Sequence, residues 1–206
     1  LHLSIRRQRQ MCIRDRQHTI KRQVELSGVG LHTGVVSNMT FLPAPPNHGI
    51  KFQRIDLEGR PTIDADCDLV VDVSRGTTLE QNGARVYTVE HVLAALVGLE
   101  LDNVLIQLDG PEPPIMDGSS IQFIEVLEDA GFEEQNALRR FFEVQESIQY
   151  KDSSREVEMV ALPTDNYRVT VMVDYNSPVL GSQHASITDI SPVSYTHLTL
   201  PTNREV

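Results

Sequence analysis

The stretch TVEHVLAALVGLELDNVLIQLDG, residues 88–110, joins a helix-like pattern directly to a strand-like one. Thr88 suits the start of a helix, because its hydroxyl can accept from an early backbone N–H, and Gly98 suits the end. The apolar stripe between them consists of Val89, Val92, Leu93 and Leu96. Residues 101–110 then predict a buried strand of about eight residues. A helix followed by a buried strand indicates a sheet covered by helices.

Further strands and a second helix are predicted around this stretch. Before it, apolar runs with turn signals predict strands over residues 19–26, 35–42, 50–55, 69–73 and 84–87. Asn82-Gly83 is a hairpin-type turn signal just before the last of these. After residue 110, Ser119 and Gln122 form a capping-box pattern for a helix that Gly131 ends. Strands combined with two helices predict an α+β fold.

A similar pattern occurs twice along the chain. Leu42-Pro43 lies between two β-rich runs, and so does Leu162-Pro163, whose flanking runs are residues 157–161 and 167–175. This agreement predicts an internal duplication into two similar sheet-plus-helices domains, of which the second is incomplete. The predicted domains cover residues 17–135 and 139–190. The charged segment near residues 131–138 is expected to be a turn-like boundary.

Composition limits the class of protein. The net charge of −11 argues against general nucleic-acid binding, because Lys and Arg are needed to displace counterions from phosphates. Two cysteines, Cys12 and Cys67, are too few for a disulfide framework, so a reducing cytoplasm is the expected compartment. No apolar run approaches the roughly 20 residues that span a bilayer, so no integral membrane segment is expected.

The two ends of the chain differ from the rest. Residues 1–22 carry seven Lys or Arg and one Asp, and residues 1–16 and 191–206 resemble translated adapter sequence. We therefore expect residues 1–16 to be a non-native lead and residues 191–206 to be an artefactual tail. The alternative is an RNA-binding arm, which ranks last because the remaining sequence is strongly acidic.

Glu90 and His91 are the first candidates for chemistry. A neutral imidazole is a good zinc ligand, and a carboxylate beside it can accept a proton from water. Alternatively, Glu90 is a first-turn acid that the helix dipole favours, and His91 is incidental. The spacing alone leaves both interpretations open, because the other ligands must come from elsewhere in the chain.

Two loops contain further candidates. SGVGLHTG, residues 27–34, has glycines that permit close approach of a ligand to backbone N–H groups, and it contains His32. The alternative is a tight turn with an exposed histidine. In PIMDGSS, Asp117 either caps a turn or orients a metal-bound histidine from behind.

Taken together, SGVGLHTG, SRGTTL, TVEHVLAAL, LDNVLI and PIMDGSS resemble the UDP-3-O-acyl-N-acetylglucosamine deacetylase (LpxC) family, in this order and at compatible spacing. The resemblance runs from about residue 17 to residue 190. It is strongest to the branch in which the deacetylase is fused to a 3-hydroxyacyl-carrier-protein dehydratase. The family's fold is two similar α+β domains, which agrees with the duplication predicted above.

The resemblance implies zinc-dependent removal of acetate from a UDP-linked acylated amino sugar, the committed step of lipid A biosynthesis. It implies that Glu90 is the general base and His91 a ligand of Zn²⁺. It also implies that His32, Thr77 and Thr78 lie near the substrate and that Asp117 supports the site from outside the ligand set. A fused or associated dehydratase is a further expected partner.

The sequence departs from the family pattern at the metal site. The family's other two zinc ligands come from a His-Lys-x-x-Asp motif, which these 206 residues do not contain. We therefore expect the intact protein to be the deacetylase and this chain alone to be inactive. The alternative is a non-catalytic module that binds a nucleotide sugar or an acyl chain. Glu90 weighs against this alternative, because binding requires no base.

Overall fold

The computed structural model describes residues 16–164 and 167–187, and these form two compact units. The first unit ends at Arg139 and the second begins at Arg140. In the described part of the first unit the α-helices are α1 (Glu90–Gly98) and α2 (Ile121–Ala130). Its strands are β1 (Arg16–Ile20), β2 (Val24–Val29), β3 (Val36–Pro43), β4 (Ile50–Arg54), β5 (Thr62–Asp64), β6 (Val70–Asp72), β7 (Thr78–Gln81), β8 (Ala84–Val86), β9 (Val104–Leu108) and β10 (Phe132–Leu138). Strands with two helices confirm the predicted α+β class.

The main sheet of the first unit has five strands in the order β2-β3-β9-β4-β5. β4 and β9 run parallel, whereas the other neighbouring strands are antiparallel. β9 lies at the centre, where Met39 faces Leu108 on one side and Ile50 faces Val104 on the other. Along β9, Val104, Ile106 and Leu108 are buried, whereas Leu105 and Gln107 on the opposite face are partly exposed. The strand has five residues, fewer than the predicted eight.

The core is formed by alternate residues of the sheet and by one side of each helix. Buried sheet residues are Met39, Phe41, Phe52, Val104, Ile106 and Leu108, and buried helix residues are Val92, Ala95, Leu96, Phe123, Ile124, Leu127 and Ala130. α2 contacts both β2 and α1. Each fully buried Leu, Ile or Phe side chain contributes roughly 1.5–3 kcal/mol. This packing sets the position of α1, and therefore of Glu90 and His91.

Several local predictions hold in the structure. Asn82 and Gly83 have φ values of 55° and 74° and form the tight turn between β7 and β8, as the hairpin signal predicted. Helix α1 includes Gly98 as its last residue, and Gly131, with a φ of 70°, ends α2. The predicted strand over residues 19–26 is instead two strands in different sheets, β1 and β2.

The predicted helix caps are wrong. Val89, not Thr88, is the residue before α1, and no side chain caps that helix. The hydroxyl of Thr88 instead donates to a carboxylate 24 residues away, and an ionised acceptor forms the stronger hydrogen bond. The Ser119–Gln122 capping box is also absent from the structure, because α2 begins at Ile121 and follows Ser120.

The turn-like conformation predicted for residues 131–138 is also wrong for most of that segment. Phe132–Leu138 form β10, which pairs antiparallel with β1. Acidic side chains of this strand face solvent, whereas Gln135 is buried. Gln135 accepts from Asn103 Nδ2 at 2.6 Å and donates to the Ala44 carbonyl at 2.7 Å. These long-range partners stabilise a strand that its charged sequence does not indicate.

The second unit has two hairpins in its described residues. One pairs β11 (Ile148–Asp152) with β12 (Val157–Ala161), and the other pairs β13 (Val169–Asp174) with β14 (Ser182–Ile187). The strands predicted over 157–161 and 167–175 are therefore confirmed. Large apolar side chains of both hairpins are exposed, including Met159 and Met172. No helix in the described part of the chain has the length and apolarity that crossing a bilayer requires. The internal duplication remains a prediction.

Candidate active site

Glu112 joins two of the segments that the sequence singled out, and it is 1% exposed. Its Oε1 accepts a hydrogen bond from Thr88 Oγ1 at 2.6 Å. Its Oε2 accepts from the Thr33 N–H at 2.9 Å and from Thr33 Oγ1 at 2.8 Å. The His32 N–H lies 3.2 and 3.1 Å from the two carboxylate oxygens. Glu112 therefore connects the turn between β2 and β3 to the chain just before α1.

The carboxylate of Glu112 is held as an anion by neutral donors. Burial alone would raise its pKa, because a buried charge loses its hydration. Hydrogen bonds from Thr88, Thr33 and His32 favour the anion and outweigh burial, so the pKa lies below the ordinary value of 4.5. Glu112 is therefore ionised at neutral pH although it is buried.

The glycines of SGVGLHTG leave space for the 111–115 segment. A Cβ atom on Gly30 would lie 2.5 Å from Glu112 Oε2 and 2.5 Å from Thr33 Oγ1. A Cβ atom on Gly28 would lie 2.9 Å from the Cβ of Pro114. These two positions exclude any larger residue, because real Cβ atoms do not approach other atoms so closely. The glycine pattern thus reflects close packing inside the protein, and its capacity for ligand contact remains a proposal.

Thr88 has an uncommon backbone conformation, with a φ of 52°. A β-branched residue in the left-handed region is strained by roughly 1–3 kcal/mol and persists only where its surroundings impose it. The surroundings here are the hydrogen bond to Glu112 and a buried environment, since Thr88 is 4% exposed. This residue turns the chain immediately before α1.

Glu90 is anchored to the loop that precedes β7. Its Oε2 accepts from the Thr77 N–H at 2.9 Å, and the Thr77 carbonyl accepts from the Val89 N–H at 3.3 Å. A Cβ atom on Gly76 would lie 3.1 Å from Glu90 Oε1, so glycine allows the carboxylate to approach this loop. Within the described residues, Oε1 of Glu90 has no hydrogen-bond donor. One oxygen thus positions the side chain while the other is available to a reactant.

His91 follows at the first turn of α1 and is partly exposed. Its carbonyl accepts a hydrogen bond of 2.9 Å from Ser120 Oγ, which fixes this turn to the start of α2. The imidazole itself makes no hydrogen bond with any residue in the described ranges. A partly exposed ring with both nitrogens unengaged can serve as a metal ligand.

Of the three residues expected near the substrate, two lie on these two loops and the third begins β7. The exposed His32 has its Nε2 2.8 Å from the Arg75 carbonyl, so Nε2 carries the proton and the ring links both loops. Thr77 is partly exposed and uses its backbone at Glu90. Thr78, the first residue of β7, is 5% exposed.

Asp117 caps the turn before α2. Its Oδ1 accepts from the Ser119 N–H at 2.9 Å and from Ser119 Oγ at 2.8 Å. These two bonds hold the pKa of Asp117 below its ordinary value. The side chain is exposed, and no hydrogen bond among the described residues joins it to His91. The structural role is thus accounted for, and support of a metal ligand remains a proposal.

The described residues contain one group of three potential metal donors, and it lies outside this site. Asp66, Cys67 and Asp68 place their ligand atoms within 4.8 Å of one another on the surface. Cys67 and Asp68 belong to the 3₁₀ turn Cys67–Leu69, and Asp66 caps this turn by accepting from the Asp68 N–H. His91 belongs to no such group in the part of the chain that the structure describes, so it supplies a single donor there.

Glu112 is the functional candidate that the sequence reasoning missed. The motif PIMDGSS indicates a role for Asp117 alone, although Glu112, shortly before it, is an acid between prolines in an otherwise apolar loop. Pro113 and Pro114, which follow Glu112, are buried, and Glu112 is buried with them. The sequence signal for Glu112 is an acidic residue within a segment that is otherwise apolar and rich in proline.

Comparison with known proteins identifies the family. The family model described as UDP-3-O-acyl N-acetylglycosamine deacetylase, LpxC, matches residues 17–201. The chain belongs to the LpxC family. This confirms the resemblance carried by the five motifs, which include the segments that meet at Glu112 and Glu90.

The chain is similar to relatives named as bifunctional LpxC/FabZ enzymes and to relatives named as deacetylases. The bifunctional enzyme LpxC/FabZ of Bacteroides thetaiotaomicron is 47% identical over 175 residues, which cover 85% of this chain and 38% of that protein. The protein of the same name from Chlorobaculum tepidum is 48% identical, over 84% of this chain and 37% of its own length. The UDP-3-O-acyl-N-acetylglucosamine deacetylase of Myxococcus xanthus is 40% identical, over 81% and 52%. The chain thus spans between about two-fifths and one-half of these LpxC relatives.

Proposed function

We propose that this chain supplies the base and one metal ligand of a deacetylase that acts on UDP-3-O-acyl-N-acetylglucosamine. The observation that supports this most directly is the state of Glu90, whose Oε2 is anchored by Thr77 while Oε1 has no hydrogen-bond donor among the described residues. The ring of the next residue, His91, is likewise unengaged within those residues. A fixed carboxylate with one open oxygen is suited to accept a proton from water.

The donor chemistry of His91 fits zinc, although a catalytic zinc takes three protein ligands. We propose that His91 supplies one of them and that a His-Lys-x-x-Asp motif of a longer protein supplies the other two. When bound, zinc would polarise the amide carbonyl and make water a stronger acid. Since this chain contributes one ligand, the 206 residues alone should be inactive.

The residues of this chain would then act in sequence on the substrate. Glu90 accepts a proton from the water that attacks the amide carbonyl, and it returns that proton to the departing nitrogen. The C–N bond breaks, which releases acetate and the free amino sugar. His32, Thr77 and Thr78 would bind substrate groups along the two loops. Asp117 would keep the turn before α2 in place behind them.

The partners follow from this assignment. The substrate would be a UDP-linked acylated amino sugar, used in the cytoplasm in the committed step of lipid A biosynthesis. Because two relatives bear the printed name LpxC/FabZ, a fused or associated 3-hydroxyacyl-carrier-protein dehydratase is a further proposed partner. The net charge of −11 argues against general nucleic-acid binding.

The test is a pair of substitutions in a full-length protein that contains this sequence. Glu90→Gln keeps the size of the side chain but removes the base, so kcat should fall by roughly 10²–10⁴-fold while zinc content is retained. His91→Ala should lower both zinc content and turnover. Wild-type turnover in both variants would refute the proposal. A wild-type protein that binds the substrate without releasing acetate would instead indicate a binding module.

A further inference from the structure

We propose that Glu112 is a positioning residue for Glu90 and His91, acting through Thr88 and through the turn that contains His32. This inference rests on the proposed function, because it assigns Glu112 a role in that same reaction. Glu112 forms no hydrogen bond to Glu90 or His91 within the described residues. Its influence must therefore pass through the residues that it does contact.

The first step is the rigidity of Glu112 itself. The segment around it is fixed at both ends by backbone hydrogen bonds, from the Tyr87 N–H to the Pro111 carbonyl at 2.9 Å and from the Ile115 N–H to the Val29 carbonyl at 3.0 Å. Glu112 also has a proline on its C-terminal side, which limits backbone rotation. The carboxylate is thus presented from a rigid support.

The second step leads from Glu112 to the head of α1. Oε1 accepts from Thr88 Oγ1 at 2.6 Å, and Thr88 has the left-handed φ of 52° that directs the chain into the helix. Glu90 lies two residues further on. A hydroxyl held by a buried anion fixes this backbone more firmly than a neutral acceptor would. The direction of the Glu90 side chain therefore depends on the charge of Glu112.

The third step leads from Glu112 to the opposite loop. The N–H groups of His32 and Thr33 both point at the carboxylate, and the His32 ring continues to the Arg75 carbonyl at 2.8 Å. The loop containing Arg75 also contains Thr77, whose N–H binds Glu90. Two paths of hydrogen bonds and short chain segments thus connect Glu112 to Glu90. One passes through Thr88, and the other passes through His32 and the loop that contains Thr77.

A catalytic carboxylate is sensitive to small displacements, because the reaction requires close alignment of the base and its proton. Glu112→Gln keeps the volume of the side chain but places an amide NH₂ among N–H and O–H donors. Thr88→Val keeps the shape of Thr88 but removes the hydroxyl. Either change should displace the carboxylate of Glu90, although Glu90 itself is not substituted.

The first experiment measures the position of Glu90 directly in the 206-residue chain. The Thr77 amide proton reports the Thr77–Glu90 hydrogen bond in ¹H–¹⁵N NMR spectra. Glu112→Gln and Thr88→Val should each move this resonance upfield. Thr19→Val is the matched control, since it removes another buried hydroxyl, which donates to the Asn103 carbonyl at 2.6 Å and accepts from the Ala44 N–H at 3.0 Å. Within the described residues this hydroxyl makes no hydrogen bond to a residue of the site.

The second experiment measures turnover in a full-length protein that contains this sequence. Both site variants should lower kcat by at least about tenfold with KM changed by less than about threefold, whereas Thr19→Val should lower Tm and leave kcat within about twofold. Should Glu112→Gln fail to fold, Thr88→Val decides both experiments.

An unchanged Thr77 resonance in the folded site variants would overturn the proposal, and so would an equal loss of kcat in Thr19→Val. If the full-length wild-type protein releases no acetate, the proposed function fails. The NMR experiment still tests the positioning of Glu90 in that case, because it requires no turnover.

Discussion

Glu90 and Thr77 are joined by a hydrogen bond of 2.9 Å from the Thr77 N–H to Glu90 Oε2, across 13 positions of sequence. The bond crosses from the first turn of α1 to the loop before β7. It orients a first-turn carboxylate that would otherwise project freely from the helix. The geometry of Glu90 is therefore a property of that loop as much as of the helix.

Replacing Gly76 by Ala should disturb this contact. The new Cβ would lie 3.1 Å from Glu90 Oε1 and 3.3 Å from Thr88 Oγ1, both on side chains already held by hydrogen bonds. We expect a loss of stability of about 1 kcal/mol and a fall in kcat of a full-length protein. Urea unfolding and steady-state kinetics would measure these. Ser74→Ala, in the same loop, is the control; equal effects in both variants would argue against a steric cause.

Replacing Gly30 by Ala should be more damaging than replacing Gly34. At Gly30 the added Cβ would lie 2.5 Å from Glu112 Oε2, so the buried carboxylate must move. At Gly34 the space is open, and the only penalty is the φ of 64°. We expect a loss of roughly 1–3 kcal/mol at Gly30 and about 1 kcal/mol at Gly34. Chemical denaturation of both variants tests the order, and the reverse order would contradict this account of the glycine pattern.

Much of the fold followed from local sequence patterns. The Asn82-Gly83 turn, the end of α2 at Gly131 and the apolar strand β9 were all predicted, because each depends on residues within a few positions. The cap at Thr88 was mispredicted because its hydroxyl has a stronger acceptor 24 residues away. β10 was missed because its stability comes from pairing with β1 and from the contacts of Gln135.

The candidate site shows the same division between local and distant information. Glu90, His91 and the glycine turn were identified from their motifs. The anchoring of Glu90 by Thr77 and the burial of Glu112 depend on three separate segments that meet only in the folded chain. The spacing of these three segments along the sequence does not indicate that they come together in the fold. The motifs predict the chemistry, and the structure shows the contacts that orient the candidate residues.

Lowering the pH should protonate Glu112 and so remove a contribution to the stability of the wild-type protein. The Glu112→Gln variant lacks this contribution at every pH. The folded-state pKa of Glu112 lies below its ordinary value of 4.5, so its ionised form stabilises the native state above that pH. This stabilisation is lost as the pH falls below 4.5 and through the lower folded-state pKa. The difference in unfolding free energy between wild type and Glu112→Gln should therefore be full at neutral pH and shrink as the pH falls below 4.5. Urea titrations at several pH values measure it, and a constant difference would contradict the lowered pKa.

Two substitutions at Thr88 separate its hydrogen bond from its backbone strain. Thr88→Val loses the bond to Glu112 and keeps a β-branched side chain at a φ of 52°, so it should destabilise by about 1–3 kcal/mol. Thr88→Gly loses the same bond but relieves the left-handed strain, a gain reduced by the roughly 0.5–1 kcal/mol entropic penalty of glycine. The glycine variant should therefore be the more stable of the two in urea unfolding. If valine proves equal or better, the strain relieved at position 88 does not exceed the cost of removing its buried side chain, and the predicted strain is smaller than stated here.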